Sequence, residues 1–414
     1  MTKVYHGSYS TKWENLKREI KYFSIDYSVK MAKERNCSFE MLERELEKFN
    51  KDKLSETEKV RKEEIQAKLD TMYSKRCKGA QIRARAEWIE KGEKNNNYFL
   101  SLEKSRQNYN VITSIKQENG NNVESQSEIL QSIGSFYEKL YLSNDRSKEE
   151  IDSYLRHIDI VNTLSDHEKD ELEKMPTSDE YSKIIKSMKH NRSPGFDGLP
   201  IEYYQVFWDY LKQIYVEMIN ECWKDGDMPI SMKTAILSLI HKGGSRDRLK
   251  YYRPISLMNT DYKIIAFVFA SRIQKVISVL VNPDQSAYIK GRYIGCNVRN
   301  LIDIFDYCEN EDSNGAFINI DYEKAFDSVE YEFMYAVLRK FNFGQLFIRW
   351  IQILYNHPIF RIKNNGWISK PYIMHRGIRQ GSALSNLIFI LAVEILAIEI
   401  RNSTIIKGVV VGST

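Results

Sequence analysis

The stretch FINIDYEKAFDSVE, residues 317–330, limits the fold more than any other part of the chain. An apolar run reads as a strand over Ala316–Ile320 and delivers Asp321 to its end, with Phe326 and Asp327 close behind. Apolar residues recur at helical spacing around 294–310, before it, and through about Lys340, after it. A strand set between two such helices belongs to a layered body of mixed type. Asp327 with Glu330 three residues later has the form of a capping box that opens the second helix.

The same alternation of helix and short strand begins near residue 177, and the fold class it gives is α+β. TSDEYSKIIKSMKHN opens on a cap signal, and its helix ends near Asn191, before the loop RSPGFDGLP. A long apolar-faced helix follows and stops at Gly226. TAILSLIHKGGSRDRLKYYRPISLM then reads as strand, basic turn, strand, and a helix over 261–281 comes next. Beyond Lys340, IFRIKN and WISKPYIM read as strands, HRGIRQGSA as a loop, 384–400 as an apolar helix and IIKGVVVGST as a last strand. Upstream, residues 11–105 read as mixed-charge helices, the last one stopped by Gly92. Residues 109–126 form two short strands about an Asn/Gly turn, 127–141 an amphipathic helix, and 143–150 a connector.

Charge is unevenly placed. Of the net +5, residues 1–110 carry 25 Lys/Arg against 18 Asp/Glu, and the remainder 36 against 38. A basic helical arm suits a polyanionic partner, although a solvated helix face accounts for the same count. The five cysteines show no CxxC spacing and no His pair stands at i, i+4, which fits a reducing, intracellular setting without a zinc site. The most apolar stretch, residues 387–399, is too short for a bilayer and is cut by Glu394, so no membrane partner is expected.

A carboxylate at a strand end beside a basic loop suits a divalent cation, because Mg²⁺ takes oxygen ligands from one or two carboxylates and from substrate phosphates. Taken singly, Asp321 is equally a turn residue, Asp327 a helix cap, Phe326 a packing ring, and Lys242 and Arg253 ordinary hairpin charges. Their order along the chain changes this. FINIDYEKAFDSVE resembles the first palm motif of the reverse transcriptases of non-LTR (LINE-type) retrotransposons. RSPGFDGLPIEYYQ (192–205) and ILSLIHKGGSRDRLKYYRPISLMNTDYKIIAFVFASRIQ (236–274) are similar to the family's finger motifs. DQSAYIKGRYIGCNVRNLIDIFDY resembles the segment joining finger to palm, and GIRQGSALSNLIFILAVEIL (377–396) the helix-bearing motif. NYFLSLEKSRQNYNVITSI is more loosely similar to the family's N-terminal extension, and the whole resemblance covers residues 95–412.

The resemblance implies a right-hand polymerase, fingers and an incomplete palm, preceded by the helical arm. It divides the chain into a basic arm (1–105), an N-terminal extension (106–176), fingers (177–310) and partial palm (311–414). It implies RNA-directed DNA synthesis with an RNA template, a DNA primer or target and dNTPs, and two Mg²⁺ ions, in the cytoplasm and nucleus. Asp321 becomes the catalytic carboxylate and, with the Tyr322 backbone, a metal ligand. Lys242, Arg253, Phe326, Gln380 and Gly381 are assigned to the nucleotide, with Phe326 against the sugar 2′ position. Asp197, Gly198, Arg379 and Ser385 are assigned to the template and primer, as shapers or supports. Ala383, Asn386 and His241 stand where the family has prolines. The hairpin with adjacent aspartates that supplies the other palm carboxylates is absent from the sequence, as are a thumb and a Cys/His knuckle, so the chain alone is expected to be inactive. A non-catalytic RNA-binding remnant and a group II intron maturase are the rival readings, the second less similar over DYEKAFDSVE and RPISLMNTDYKI.

Overall fold

The computed structural model describes residues 7–49, 54–84, 111–117, 120–311 and 315–410, and these divide into two compact units. The smaller unit, residues 15–113, contains most of α1 (Tyr9–Glu47) and all of α2 (Glu56–Ala84). Ser55 caps α2 through a reciprocal pair: Glu58 N–H donates to Ser55 Oγ at 3.3 Å, and Ser55 N–H donates to a Glu58 carboxylate oxygen at 2.8 Å. Phe39 of α1 meets Tyr73 of α2 edge-on at 5.0 Å, and Arg61 forks onto Glu45 at 2.9 and 3.0 Å. Part of the positive charge is thus paired with carboxylates of the same two helices, which leaves the net excess unchanged. The helix read as running on to Gly92, and most of the N-terminal-extension similarity, lie outside the described residues.

The larger unit, residues 1–14 and 114–414, is an α+β body. β1 (Ile115–Lys116) and β2 (Asn122–Val123) form the small antiparallel ribbon that the Asn/Gly turn predicts. α3 (Gln126–Leu140) follows, and Gly134 lets it lie against the sheet, since a Cβ there would fall 1.9 Å from Tyr372 Oη. α4 (Lys148–Arg156), α5 (Asp166–Glu173), α6 (Ser178–Ser187) and α7 (Ile201–Asp225) come next. α4 occupies part of the expected connector because Ser147 accepts from Glu150 N–H and caps it. Thr177 and Glu180 form a full capping box on α6, and α7 ends where Gly226 takes the left-handed conformation.

A single-turn α8 (Ile230–Lys233) leads into β3 (Thr234–His241), which pairs antiparallel with β4 (Tyr252–Met258). α9 (Thr260–Leu280) is buried along most of its length, whereas α10 (Ile294–Asn310) has no buried residue. After α11 (Tyr331–Lys340) and α12 (Gln345–Leu354), β5 (Ile359–Asn364) adds to β3 in parallel. β6 (Trp367–Ile368) and β7 (Tyr372–Ile373) both pair with β5, so the expected strand over WISKPYIM is two short ones either side of Pro371. The last helix, α13 (Ala383–Asn402), packs on α9. It is the one described helix apolar and long enough to cross a membrane, and its Leu384, Leu387, Leu391 and Ile395 are buried in the protein.

Two expectations fail here. Residues 316–320 are not a strand, and Phe317, Ile318 and Ile320 stand 59, 77 and 56 % exposed. A strand exists through the ladder it makes with a neighbour, and the sheet order β4-β3-β5-β6 brings none to this segment. Residues 406–410 also lack regular structure, and the rest of that expected strand lies outside the described residues.

Candidate nucleotide site

Three distant segments meet at the edge of the sheet. The first is the turn after Asp321. Lys324 adopts φ 54°, its carbonyl accepts from Asp327 N–H at 2.8 Å, and a short 3₁₀ turn over Ala325–Ser328 follows. The tight turn sends Asp327 inward and leaves the Phe326 ring half-buried, stacked on Phe389 of α13 at 4.7 Å. The Lys324 ammonium reaches the Tyr252 carbonyl of β4 at 3.3 Å, and burial holds its pKa below the usual lysine range. Asp321 and Tyr322 are exposed.

The second segment is the loop before α13. Gly377 N–H donates to Val329 O at 2.7 Å and Ile378 N–H to Phe326 O at 2.8 Å, so the loop runs beside the turn as a strand would. β4 is the edge strand of the sheet, which tolerates Pro254, and its outward Ser256 N–H donates to Gln380 O at 2.8 Å. His375 N–H donates to Tyr141 O at 3.0 Å, and Arg376 donates to Leu140 O at 2.9 Å and pairs with Glu330 at 3.2 Å. Gly377 has φ +88°, and a Cβ on it would sit 2.9 Å from the Asp327 carbonyl oxygen. Backbone cannot move aside cheaply. Gly377→Ala is therefore expected to cost about 2 kcal/mol or more of stability, measured by urea denaturation. Gly381, at φ +111°, would bring a Cβ to 3.1 Å from Ser256 O.

The third is the β3–β4 hairpin. Ile240 stands opposite Arg253, and Lys242 lies two residues beyond Ile240, so all three share one face. That face is exposed, while Leu239, Tyr252 and Pro254 on the other are buried. Lys242 and Arg253 thus present two cations at the sheet edge where Gln380 is fastened.

Asp327 is the buried charge of the site. Tyr141 Oη donates to one carboxylate oxygen at 2.9 Å and Gln380 Nε2 to the other at 3.0 Å. Burial pushes its pKa up to about 6, against the pull of Tyr141, Lys324 and Gln380. The expected capping role fails: Glu330 is the N-cap of α11, and its carboxylate serves Ser143 Oγ, Asn144 N–H and Arg376 instead of reaching back. A carboxyl whose pKa rises on folding gives stability that is complete below about 4 and lost as pH climbs through about 6. The shift corresponds to about 3 kcal/mol. Between pH 4 and pH 7 the wild type should lose that contribution, and Asp327→Asn should flatten this part of a denaturation pH profile.

Arg379 and Ser385 point inward. The Arg379 guanidinium stacks on the Tyr262 ring at 4.4 Å and donates to Lys233 O at 2.6 Å, and Ser385 Oγ lies 3.0 Å from Tyr355 Oη. Asp197 is buried as well. Its Oδ1 accepts from Leu199 N–H at 3.1 Å, and its own N–H donates to Asn259 Oδ1 at 3.2 Å. Gly198 closes that loop at φ +78°, and Gly195 presses it onto Asn259, where a Cβ would come within 2.5 Å of backbone nitrogen. Phe326, Gln380, Gly381, Lys242 and Arg253 are therefore gathered at one sheet edge, whereas Arg379, Ser385 and Asp197 are buried and bonded to Lys233 O, Tyr355 Oη and Leu199 N–H. Sequence reasoning missed Tyr141, which lies 186 residues from Asp327 and has no local signal. Lys324 was visible inside DYEKAFD and was not singled out.

Among the described residues no three His, Cys, Asp or Glu side chains converge as metal ligands. Asp321 and the Tyr322 carbonyl are hard oxygen donors that suit Mg²⁺. They make only part of a two-ion site, and Asp327 is buried and turned to Tyr141 and Gln380.

Residues 240–411, which include this sheet edge, match the family model for reverse transcriptase (RNA-dependent DNA polymerase). The similarity extends beyond those residues to proteins of transposons and retrotransposable elements. It is 32 % identical over 385 residues to an uncharacterized 149 kDa protein of transposon TX1 from Xenopus laevis, covering 92 % of this chain and 29 % of that one. It is 25 % identical over 203 residues to the Pol polyprotein of the type-2 retrotransposable element R2DM from Drosophila melanogaster, covering 49 % of this chain and 19 % of the relative. A probable RNA-directed DNA polymerase from transposon BS of the same fly is 26 % identical over 226 residues, covering 51 % of this chain and 24 % of that one. The chain spans less than a third of the length of each of these relatives.

Proposed function

We propose that this sheet edge receives the incoming dNTP in RNA-directed DNA synthesis, with an RNA template and a DNA primer or target as partners and the cytoplasm and nucleus as the setting. The reading rests on one observation: the loop carrying Gln380 and Gly381 is hydrogen-bonded to both the Asp321 turn and the edge strand that bears Arg253. Arg253 supplies a fork for phosphate oxygens and Lys242 a point charge beside it. Phe326 lies where the sugar would rest, and Gln380 and Gly381 border the nucleotide and the template base. Asp197, Gly198, Arg379 and Ser385 act on template and primer indirectly, through the loops they shape. Asp321, with the Tyr322 backbone, would contribute to holding two Mg²⁺ ions, whose role in this family is to bring the primer 3′-hydroxyl and the α-phosphate together.

Direct binding tests the assignment. Radiolabelled dTTP with Mg²⁺ should bind the chain saturably, and Lys242→Ala with Arg253→Ala should weaken binding about tenfold or more, the worth of two charge-assisted hydrogen bonds. Unchanged affinity in the double variant would place the triphosphate elsewhere. An RNA-binding remnant is the second reading, favoured by the lack of a carboxylate cluster among the described residues. For it, RNA affinity should reside in residues 1–110 and fall steeply with salt as counterions are released. Filter binding with and without those residues decides: equal affinity and equal salt slope would leave the arm as a solvated helix pair.

A further inference from the structure

We propose that the C-terminal half of α13 carries a binding site for a small aliphatic diamine or polyamine, whose ammonium group is received by the Glu394 carboxylate. Glu394 lies about three turns along α13 from the loop that bears Gln380, and nothing in the nucleotide reading uses it. A carboxylate inside an apolar helix is costly unless its lone pairs are filled. Glu394 is 1 % exposed, and one of its oxygens is served: Oε1 accepts from Asn282 N–H at 3.2 Å and from Arg401 Nη1 at 3.0 Å. Oε2 has no hydrogen-bond partner among the described residues. Burial pushes the Glu394 pKa up against the pull of Asn282 and Arg401, so the charged form is short of donors. A buried acceptor left in this way calls for a group that the chain does not supply.

The surroundings select that group. Glu394 borders a cleft of about 150 Å³, several times the roughly 30 Å³ of one water. Ile160, Leu280 and Ile398 wall it with hydrocarbon, and Asp159 and Asn162 bring oxygens to it. Arg401 is the only cation lining it among the described residues, and its charge is shared: Nη2 donates to Asp284 Oδ1 at 3.1 Å while Nη1 holds Glu394. Two carboxylates thus divide one positive charge, and the exposed Asp159 adds a third negative charge at the rim. Positive charge and N–H donors are lacking together. A divalent metal ion suits the site poorly, because no three His, Cys, Asp or Glu side chains converge among the described residues and hydrocarbon walls offer no ligands. A primary ammonium has three donors on a flexible methylene stem, so it can satisfy Oε2 and lay the stem along the three apolar side chains. The second ammonium of a diamine then reaches the rim, where Asp159 stands.

Isothermal titration calorimetry of the nucleic-acid-free 414-residue chain with 1,4-diaminobutane, at an ionic strength held constant with potassium chloride, tests the site. The wild type should bind the diamine saturably. Glu394→Gln, which replaces the charged acceptor by a neutral amide, should weaken binding about tenfold or more, the worth of one hydrogen bond between charged groups. Asn162→Trp, a change at an exposed position of the rim, should block the cleft and weaken binding to the same degree without altering Glu394. The bis-trimethylammonium form of the same diamine keeps both charges and has no N–H to donate, so it should also bind about tenfold more weakly or worse. No saturable binding by the wild type would overturn the proposal. So would a bis-trimethylammonium form that binds as well as the parent diamine, or an affinity unchanged in Asn162→Trp, since either result would mean attraction to surface charge at large. These two readouts decide the matter even if Glu394→Gln does not fold.

Discussion

Phe326→Val is expected to admit ribonucleotides. In a chain lengthened past Thr414 to include a hairpin with adjacent aspartates, the ratio of rNTP to dNTP incorporation is expected to rise roughly a hundredfold, the scale on which one steric clash discriminates. The ring stands five residues after Asp321 and is held by stacking on Phe389 at 4.7 Å with planes 18° apart. A ring braced in that way cannot turn aside for a 2′-hydroxyl. Few rotamers must be frozen to keep it there, so the exclusion has a small entropic cost. Valine is shorter and cannot stack, which opens the space. The same stacking lets Phe326 be ordinary packing, in which case valine costs about 1–3 kcal/mol of stability and leaves sugar preference alone. An unchanged ratio with a lowered melting temperature would settle the matter in favour of packing.

The 414-residue chain by itself is expected to incorporate no dNTP on a primed RNA. One exposed carboxylate cannot hold two cations in register, and no converging trio of ligands exists among the described residues. The apolar surface around Asp321 agrees: α10 buries none of its side chains, Phe305 meets only the edge of Phe317 at 5.8 Å, and Ile318 and Ile320 face outward. A further strand alongside residues 316–320 would cover that surface and give Asp321 a fixed direction. Incorporation should appear when such a strand is supplied in the same polypeptide. Robust, Mg²⁺-dependent extension by the unlengthened chain would contradict this.

Much of the larger unit could be read from sequence because its signals are local. Gly226 at the end of α7, the Thr177–Glu180 box on α6 and the basic turn between β3 and β4 each act within a few residues. What could not be read depends on distance or on competition. The Asp327–Glu330 pair has the spacing of a capping box, yet Glu330 found Arg376 and the amide of Asn144, and Asp327 found Tyr141 and Gln380. Arg379 and Ser385 carry polar letters at interior positions, where the Tyr262 ring and Lys233 O receive the first and Tyr355 Oη the second. α12 was not singled out, although Phe347, Trp350 and Ile351 place it in the core. The apolar run before Asp321 has strand composition, and composition without a neighbouring strand does not make one.

Templated dNTP incorporation by the lengthened chain, wild type beside Asp321→Asn, is the most direct test that this chain carries a reverse transcriptase site. The wild type should extend a primer on RNA in the presence of Mg²⁺, and the asparagine variant, folded to the same melting temperature, should extend none. Extension by Asp321→Asn at the wild-type rate would contradict the assignment of the carboxylate and, with it, of the site built around the turn that follows.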